Sequence, residues 1–218
     1  MRTFGVIGLG RFGVSVTMQL FKMGYEVLAI DKNIDRVNAM ADYATTALCG
    51  DAKDENVLKN IGIRNCDCVI VAIGNDLTDS ILTTLLLKEF DIKQIVCRAR
   101  DNQHKKVLKK IGADNVVIPE QETGIKTAIS LVSGRLIDMI DLSDEFGIAD
   151  SVVPSDWVGK SINALSIRKR YGINIVAIKS QTDKHEVNIS PSPEYIFKDK
   201  DIVVLVGRSD IINELTAQ

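Results

Sequence analysis

The stretch Phe4-Gly5-Val6-Ile7-Gly8-Leu9-Gly10-Arg11-Phe12-Gly13 decides the fold of this chain. A short apolar run enters a Gly-x-Gly-x-x-Gly string and helical spacing follows, the context in which that string marks a dinucleotide-type βαβ unit. Each glycine has its own task. Gly8 permits the tight turn, Gly10 leaves the backbone open to a phosphate, and Gly13 lets the helix pack closely on the strand. The start of that helix offers free N–H groups and the positive end of its dipole to an anion.

Outward from this string, short apolar runs alternate with amphipathic helical stretches as far as residue 118, the pattern of a parallel sheet with crossover helices. Six strands are expected, with cores at Phe4 to Ile7, Val27 to Ile30, Thr46 to Cys49, Cys68 to Ile73, Ile95 to Arg98 and Val116 to Ile118. Such continuous Val and Ile runs suit strands buried on both faces. Gly24, Gly62 and Gly112 stand where helices need left-handed caps. The helix from Leu77 to Phe90 carries a wide apolar face, which suits either deep burial or a subunit interface.

From Glu120 to Ile140 the apolar positions, Leu136 and Met139 among them, keep helical spacing, which predicts a crossover helix leaving the sheet. Beyond it strands are expected at Met139 to Phe146, Ile173 to Ile178, Val187 to Ile189 and Ile202 to Val206, with helices near Ser161 to Tyr171 and Ser209 to Leu215. The fold class is therefore α/β: a Rossmann-like doubly wound parallel sheet over residues 1–135, including the crossover helix, then a small α+β domain over residues 136–218.

Asp31 closes the second strand eighteen residues past Gly13, near the roughly 20 expected of an acid that holds adenosine ribose hydroxyls. An acid there disfavours a 2′-phosphate, and with it NADP. Further strand ends bring Gly50-Asp51-Ala52, Ile73-Gly74-Asn75-Asp76 and Arg98 to the same carboxyl edge, where open α/β sheets bind ligands. The candidate nucleotide-binding residues are thus Gly8, Gly10, Arg11, Phe12, Gly13, Asp31, Lys32, Asp51, Ala52, Ile73, Gly74, Asn75 and Arg98. Asp51 could meet the adenine edge and Arg98 a phosphate, although acids at strand ends equally serve as helix N-caps.

The bulk properties narrow the class. Twenty-seven Lys and Arg against twenty-nine Asp and Glu leave a formal charge of -2, so the basic footprint of a nucleic-acid binder is absent. No apolar run approaches the roughly 20 residues of a bilayer span, and the start does not read as a secretory leader, so a cytoplasmic location is expected. Cys49, Cys66, Cys68 and Cys97 form no Cys-x-x-Cys pair and read as small buried hydrophobes. His104 and His185, the only histidines, read as surface residues. Neither an acid–base pair for hydride transfer, nor a P-loop, nor zinc spacing is present. A nucleotide sensor fits better than the alternative of an NAD-dependent oxidoreductase.

These features together, with Gly112-Ala113-Asp114 running into Pro119-Glu120, and Ile167-Arg168-Lys169-Arg170-Tyr171-Gly172 and Pro191-x-Pro193 in the last third, resemble the RCK family, regulators of potassium conductance. The similarity is greatest to the cytosolic subunit of bacterial Ktr-type and Trk-type uptake systems. It implies a non-enzymatic subunit forming dimers and an octameric ring beneath a potassium-conducting membrane partner, gated by ATP against ADP, or NADH against NAD. A potassium efflux partner is the alternative within the same fold. The resemblance further implies that Arg11 reaches a terminal phosphate and that Glu120 places Mg2+ or another divalent cation near it. It also implies a cyclic di-AMP site in the second domain, drawing on Ile162, Arg168, Asn174, Ile175 and Pro191.

Overall fold

In the computed structural model, residues 2–74, 76–133, 136–143, 145–179 and 187–216 are described. The chain divides into two compact units, 1–120 and 121–218.

The first unit alternates β1 (Thr3–Ile7), α1 (Arg11–Lys22), β2 (Glu26–Asp31), α2 (Ile34–Asn38), β3 (Thr46–Cys49), α3 (Glu55–Asn60), β4 (Cys68–Val71), α4 (Leu77–Glu89), β5 (Ile95–Arg98), α5 (Asn102–Lys110) and β6 (Asn115–Val117). The six strands form one parallel sheet in the order β3-β2-β1-β4-β5-β6. The order reverses at β1, so crossovers leave it in opposite directions and a crevice opens at its carboxyl end.

The continuous apolar runs fill both faces of this sheet. Ile7, Leu28, Ile30, Val69, Val71, Ile95 and Cys97 pack into one core cluster, whereas Val6, Val27, Ala29, Cys68 and Ile70 pack into another. Adjacent residues go to opposite clusters because strand side chains alternate with period two. Gly24, Gly62 and Gly112 adopt φ of +83°, +74° and +103° after their helices, as left-handed caps require.

Four expectations change here. Cys49 is exposed, because β3 is the edge strand; Cys66, Cys68 and Cys97 are buried, and burial pushes the Cys66 and Cys97 thiols up to about 11. His104 is buried rather than on the surface, since it lies four residues before Leu108 on the face of α5 turned to the core. Its Nδ1 accepts the Arg100 N–H at 3.2 Å. In α4 the buried face consists of Asp79, Ser80, Thr83, Thr84 and Leu87, while Leu82 and Leu85 are 42% and 37% exposed. The apolar width of that helix is thus partly turned outward.

The fourth change concerns the crossover. The helix α6 (Pro119–Ser133) ends before Leu136, and Leu136 and Met139, read as helical, belong to strand β7 (Leu136–Asp141). Residues 121–128 are exposed, so α6 buries none of those side chains, and the division of the chain falls at its first turn.

The second unit continues with β8 (Phe146–Val152), α7 (Ile162–Leu165), α8 (Ile167–Tyr171), β9 (Asn174–Lys179), β10 (Val187–Ile189), β11 (Ile202–Arg208) and α9 (Ser209–Thr216). Its antiparallel sheet runs β10-β9-β11-β8-β7. The single strand expected over Met139 to Phe146 is instead divided between the end of β7 and the start of β8, and Leu142 and Ser143 both donate N–H bonds to the Phe146 carbonyl. The helix expected over Ser161 to Tyr171 breaks at Ser166, whose φ is +47°. Trp157 and Phe197, both 1% exposed, anchor this core with ring centroids 5.6 Å apart. Among the described residues no helix is long and apolar enough to cross a membrane.

Burial holds the His104 pKa below its usual 6.5, against the pull of Asp101. Between pH 7.5 and 5.5 the unfolded chain therefore takes up a proton that the folded chain refuses, and stability falls as pH drops through about 6.5. Urea unfolding at both pH values should show a smaller fall for His104→Gln than for the parent chain. Equal falls would remove His104 from the balance.

Candidate functional site

A cavity of about 430 Å³ opens at the carboxyl edge of β1, β2, β3 and β4. Of the residues expected from sequence to gather there, Gly8, Gly10, Arg11, Phe12, Asp31, Lys32, Asp51, Ala52, Ile73, Gly74 and Arg98 line it. Asn75 lies outside the described residues. Gly13 stands behind the wall, in a packing role.

The glycine end is shaped by backbone. Gly8 has φ of +95°, and its N–H donates to the Ile30 carbonyl at 2.8 Å. A Cβ on Gly13 would lie 1.9 Å from the Gly8 carbonyl oxygen, whereas one on Gly10 would meet nothing within 4 Å. The close contact at Gly13 sets α1 against the strand end, and the open space at Gly10 leaves room for a ligand. Gly10 is also the N-cap of α1 and supplies no side-chain cap. Asp76 and Asp101 by contrast cap α4 and α5, and Asp51 accepts the Lys53 N–H in its own turn. The first-turn N–H groups of a helix have no partner inside the helix, and Gly10, Arg11 and Phe12 at the start of α1 line the cavity.

Asp31 is 6% exposed, and both its carboxylate oxygens are engaged. Oδ2 accepts the Leu9 N–H at 2.6 Å, Oδ1 accepts the Asn33 N–H at 2.8 Å, and Arg36 stands 3.5 Å away. This one side chain ties the end of β2 to the glycine loop.

Around the expected Lys32 lies a cluster whose other members, Asp79, Lys53 and Thr83, the sequence reading missed. Asp79 on α4 pairs with Lys53 at 2.6 Å and Lys32 at 3.1 Å, and Thr83 follows one turn later on the same wall. The Lys53 hydrogen bond, with Lys32 adding to it, holds the Asp79 carboxyl below its usual range despite burial. The available signal was spacing, because residues four apart share a helix face and the early turns of a crossover helix border the carboxyl edge. Arg36, in the first turn of α2, escaped notice for the same reason.

At the far end the Arg98 guanidinium lies where a Cβ on Gly74 would stand, so a larger residue there would displace the tip of that side chain. Arg98 forms an ion pair with Glu120, which lowers the Glu120 pKa. Glu120 lines the cavity, yet its nearest charged partner is a cation rather than further ligands. Among the described residues no group of three or more His, Cys, Asp or Glu is placed to hold a metal ion.

In the second unit, Arg168 and Asn174 are exposed while Ile162, Ile175 and Pro191 are half-buried. Ile162 and Ile175 pack against the unit's core. None of the five lines the small cavity of this unit, which is walled by Pro154, Asp156, Trp157, Tyr171, Ile211, Glu214 and Leu215. His185 lies outside the described residues.

Residues 4–119 match the TrkA-N domain and residues 148–218 the TrkA-C domain. The chain belongs to the TrkA/Ktr family. It is 47% identical over 206 residues to Ktr system potassium uptake protein A of Bacillus subtilis (strain 168), an alignment covering 94% of this chain and 91% of that protein. Ktr system potassium uptake protein C of the same organism is 45% identical over 206 residues, 94% of this chain and 92% of that protein. Both relatives are potassium uptake proteins of Ktr systems. Among solved structures, the GsuK channel bound to NAD superposes with a TM-score of 0.53 at 24% identity, covering 100% of this chain and 38% of that one, which establishes the shared fold. GsuK bound to ADP gives a TM-score of 0.53 at 25% identity, covering 60% of this chain and 34% of that one.

The Gly13 contact is with backbone, which cannot step aside. Gly13→Ala should therefore cost more than the ~1–3 kcal/mol typical of overpacking. Thermal unfolding of the variant should show a strongly lowered midpoint or no folded state, and a midpoint near that of the parent would contradict the packing.

Proposed function

We propose that this chain is the regulatory subunit of a bacterial potassium uptake system, and that it binds an adenine nucleotide in the cavity of its first unit. The observation that carries this reading is the anion cradle made of backbone: an uncapped α1, a left-handed Gly8, and free space over Gly10. Phosphate bound there would meet N–H groups and the positive helix end. Asp31 would hold the ribose through lone pairs left over from its two backbone bonds. Arg11 and Arg98 supply cations at the phosphate end. The NAD-bound and ADP-bound GsuK structures support an adenine nucleotide, and ATP, ADP, NADH and NAD share the adenosine and first phosphates that such a cradle reads.

The Ktr relatives support a membrane-bound potassium-conducting partner. Regulation then follows from linkage: a nucleotide shifts the assembly only as far as its affinities for the two states differ. A divalent cation at Glu120 would accompany the phosphates only after Arg98 gives up its pairing, a competition that a triphosphate is suited to win. For the second unit, a cyclic di-AMP site built from Ile162, Arg168, Asn174, Ile175 and Pro191 is read as shared between two copies, as the family resemblance implies, and none of the five lines the cavity beside Trp157. The domain boundary at residue 135 is kept as part of this reading, with α6 as the connecting helix.

Self-assembly draws its support from α4. Its exposed Leu82 and Leu85 form an apolar strip on the side away from the sheet, the arrangement expected when a second copy covers it.

Two measurements test the proposal. Isothermal titration of ATP, ADP and NADH into the full chain should show binding, and Gly10→Ala should weaken it by at least about tenfold, ~1.4 kcal/mol, at unchanged thermal stability. A parent chain that binds none of the three would overturn the reading. Separately, Leu82→Glu with Leu85→Glu should leave the fold within ~0.5 kcal/mol, as exposed substitutions do, yet shift the chain to a smaller species in light scattering. An unchanged mass would show that α4 is not an interface.

A further inference from the structure

Thr83 is fully buried on α4, lines the cavity, and its Oγ1 has no hydrogen-bond partner among the described residues. Thr84, its neighbour, satisfies the same need by bonding back to the Ser80 carbonyl at 2.7 Å, so helix geometry does not impose the vacancy at Thr83. A buried hydroxyl without a partner destabilises a fold, and native structures rarely retain one without a reason. At a cavity wall the reason to look for is a ligand.

Its place in the cavity identifies which part of a ligand it would meet. Lys32 follows Asp31 and Lys53 follows Ala52, and both ammonium groups reach Asp79 one turn before Thr83. These lysines follow the ends of β2 and β3, and the sheet order runs β3-β2-β1, so their shared partner Asp79 marks the β2–β3 side of the cavity, with Thr83 on the same wall. With the phosphates at the loop and the ribose at Asp31, the glycosidic bond carries the base to this side. Ile7, Ile30, Ala52 and Ile73 line the cavity as well, and all four belong to one apolar core or pack against it, giving a planar ring an apolar slot.

Resting on the nucleotide reading above, we infer that Thr83 is the base-contacting residue of the cavity, its hydroxyl hydrogen-bonding the edge of the adenine ring, with the Lys32–Asp79–Lys53 bridge bordering the slot. A hydroxyl can donate to a ring nitrogen or accept from the exocyclic amino group. Asp79, kept ionised by its two lysines, adds an acceptor beside it, which suits an amino-bearing edge.

The full-length chain carrying Thr83→Val tests this, because valine keeps the shape and removes the hydroxyl. ADP affinity by titration calorimetry should fall about threefold to tenfold, the range of one neutral hydrogen bond. Affinity for ribose 5-phosphate, which has no base, should stay the same, and the thermal midpoint should stay or rise. Thr83→Ser should restore ADP binding. Should the valine chain not fold, Thr83→Ala compared with Thr83→Ser gives the same readout. Parent-like ADP affinity in Thr83→Val, or an equal loss for ADP and ribose 5-phosphate, would overturn the inference while leaving the nucleotide site standing. A parent chain that binds no nucleotide would remove both.

Discussion

The contact between Gly13 and the Gly8 carbonyl oxygen is the constraint from which the first unit is built. A Cβ at Gly13 would have to stand 1.9 Å from that oxygen, so α1 starts directly against the end of β1 with no side chain between them. That closeness puts the uncapped helix start at the sheet's switch point, where β2 and β4 diverge on either side of β1. Asp31 then fixes the loop from the β2 side by accepting the Leu9 N–H. The cavity is the space these two fastenings leave.

Much of this was legible because the determinants are local. The glycine string, the apolar runs and the cap glycines each act within a few residues, and the six strands of a doubly wound parallel sheet in the first unit followed from them. What sequence did not yield depends on what lies across from a residue. Asp79 and Thr83 read as ordinary polar positions until α4 is seen to turn that face inward, against the usual polarity of a helix. His104 looked solvated among lysines, yet its four-residue spacing to Leu108 was the signal that placed it inside. Met139 fits a helical period as well as a strand, and only pairing with Ala149 on β8 decides between them.

The charged groups at the carboxyl edge of the sheet divide by what they are already doing. Asp76 and Asp101 are occupied as helix caps, as the alternative reading of such strand-end acids allowed. Asp31 is partly occupied as a fastening, and Arg98 and Glu120 occupy each other. A ligand entering this cavity therefore exchanges partners at Arg98 and Asp31, whereas Arg11 lines the cavity outside any ion pair among the described residues. Exchange of this kind makes binding sensitive to which anion arrives, since only a sufficiently charged one competes with Glu120 for Arg98.

The cradle at Gly8, Gly10 and Gly13 is made of main-chain atoms, and main-chain atoms do not mutate. Substitution can destroy that grip but cannot adjust it by degrees. Adjustment of ligand choice by substitution is therefore left to the two ends of the cavity: Arg11, Arg98 and Glu120 at one, Lys32, Lys53, Asp79 and Thr83 at the other. A constant middle with variable ends lets a lineage exchange one cellular signal for another without rebuilding the receptor.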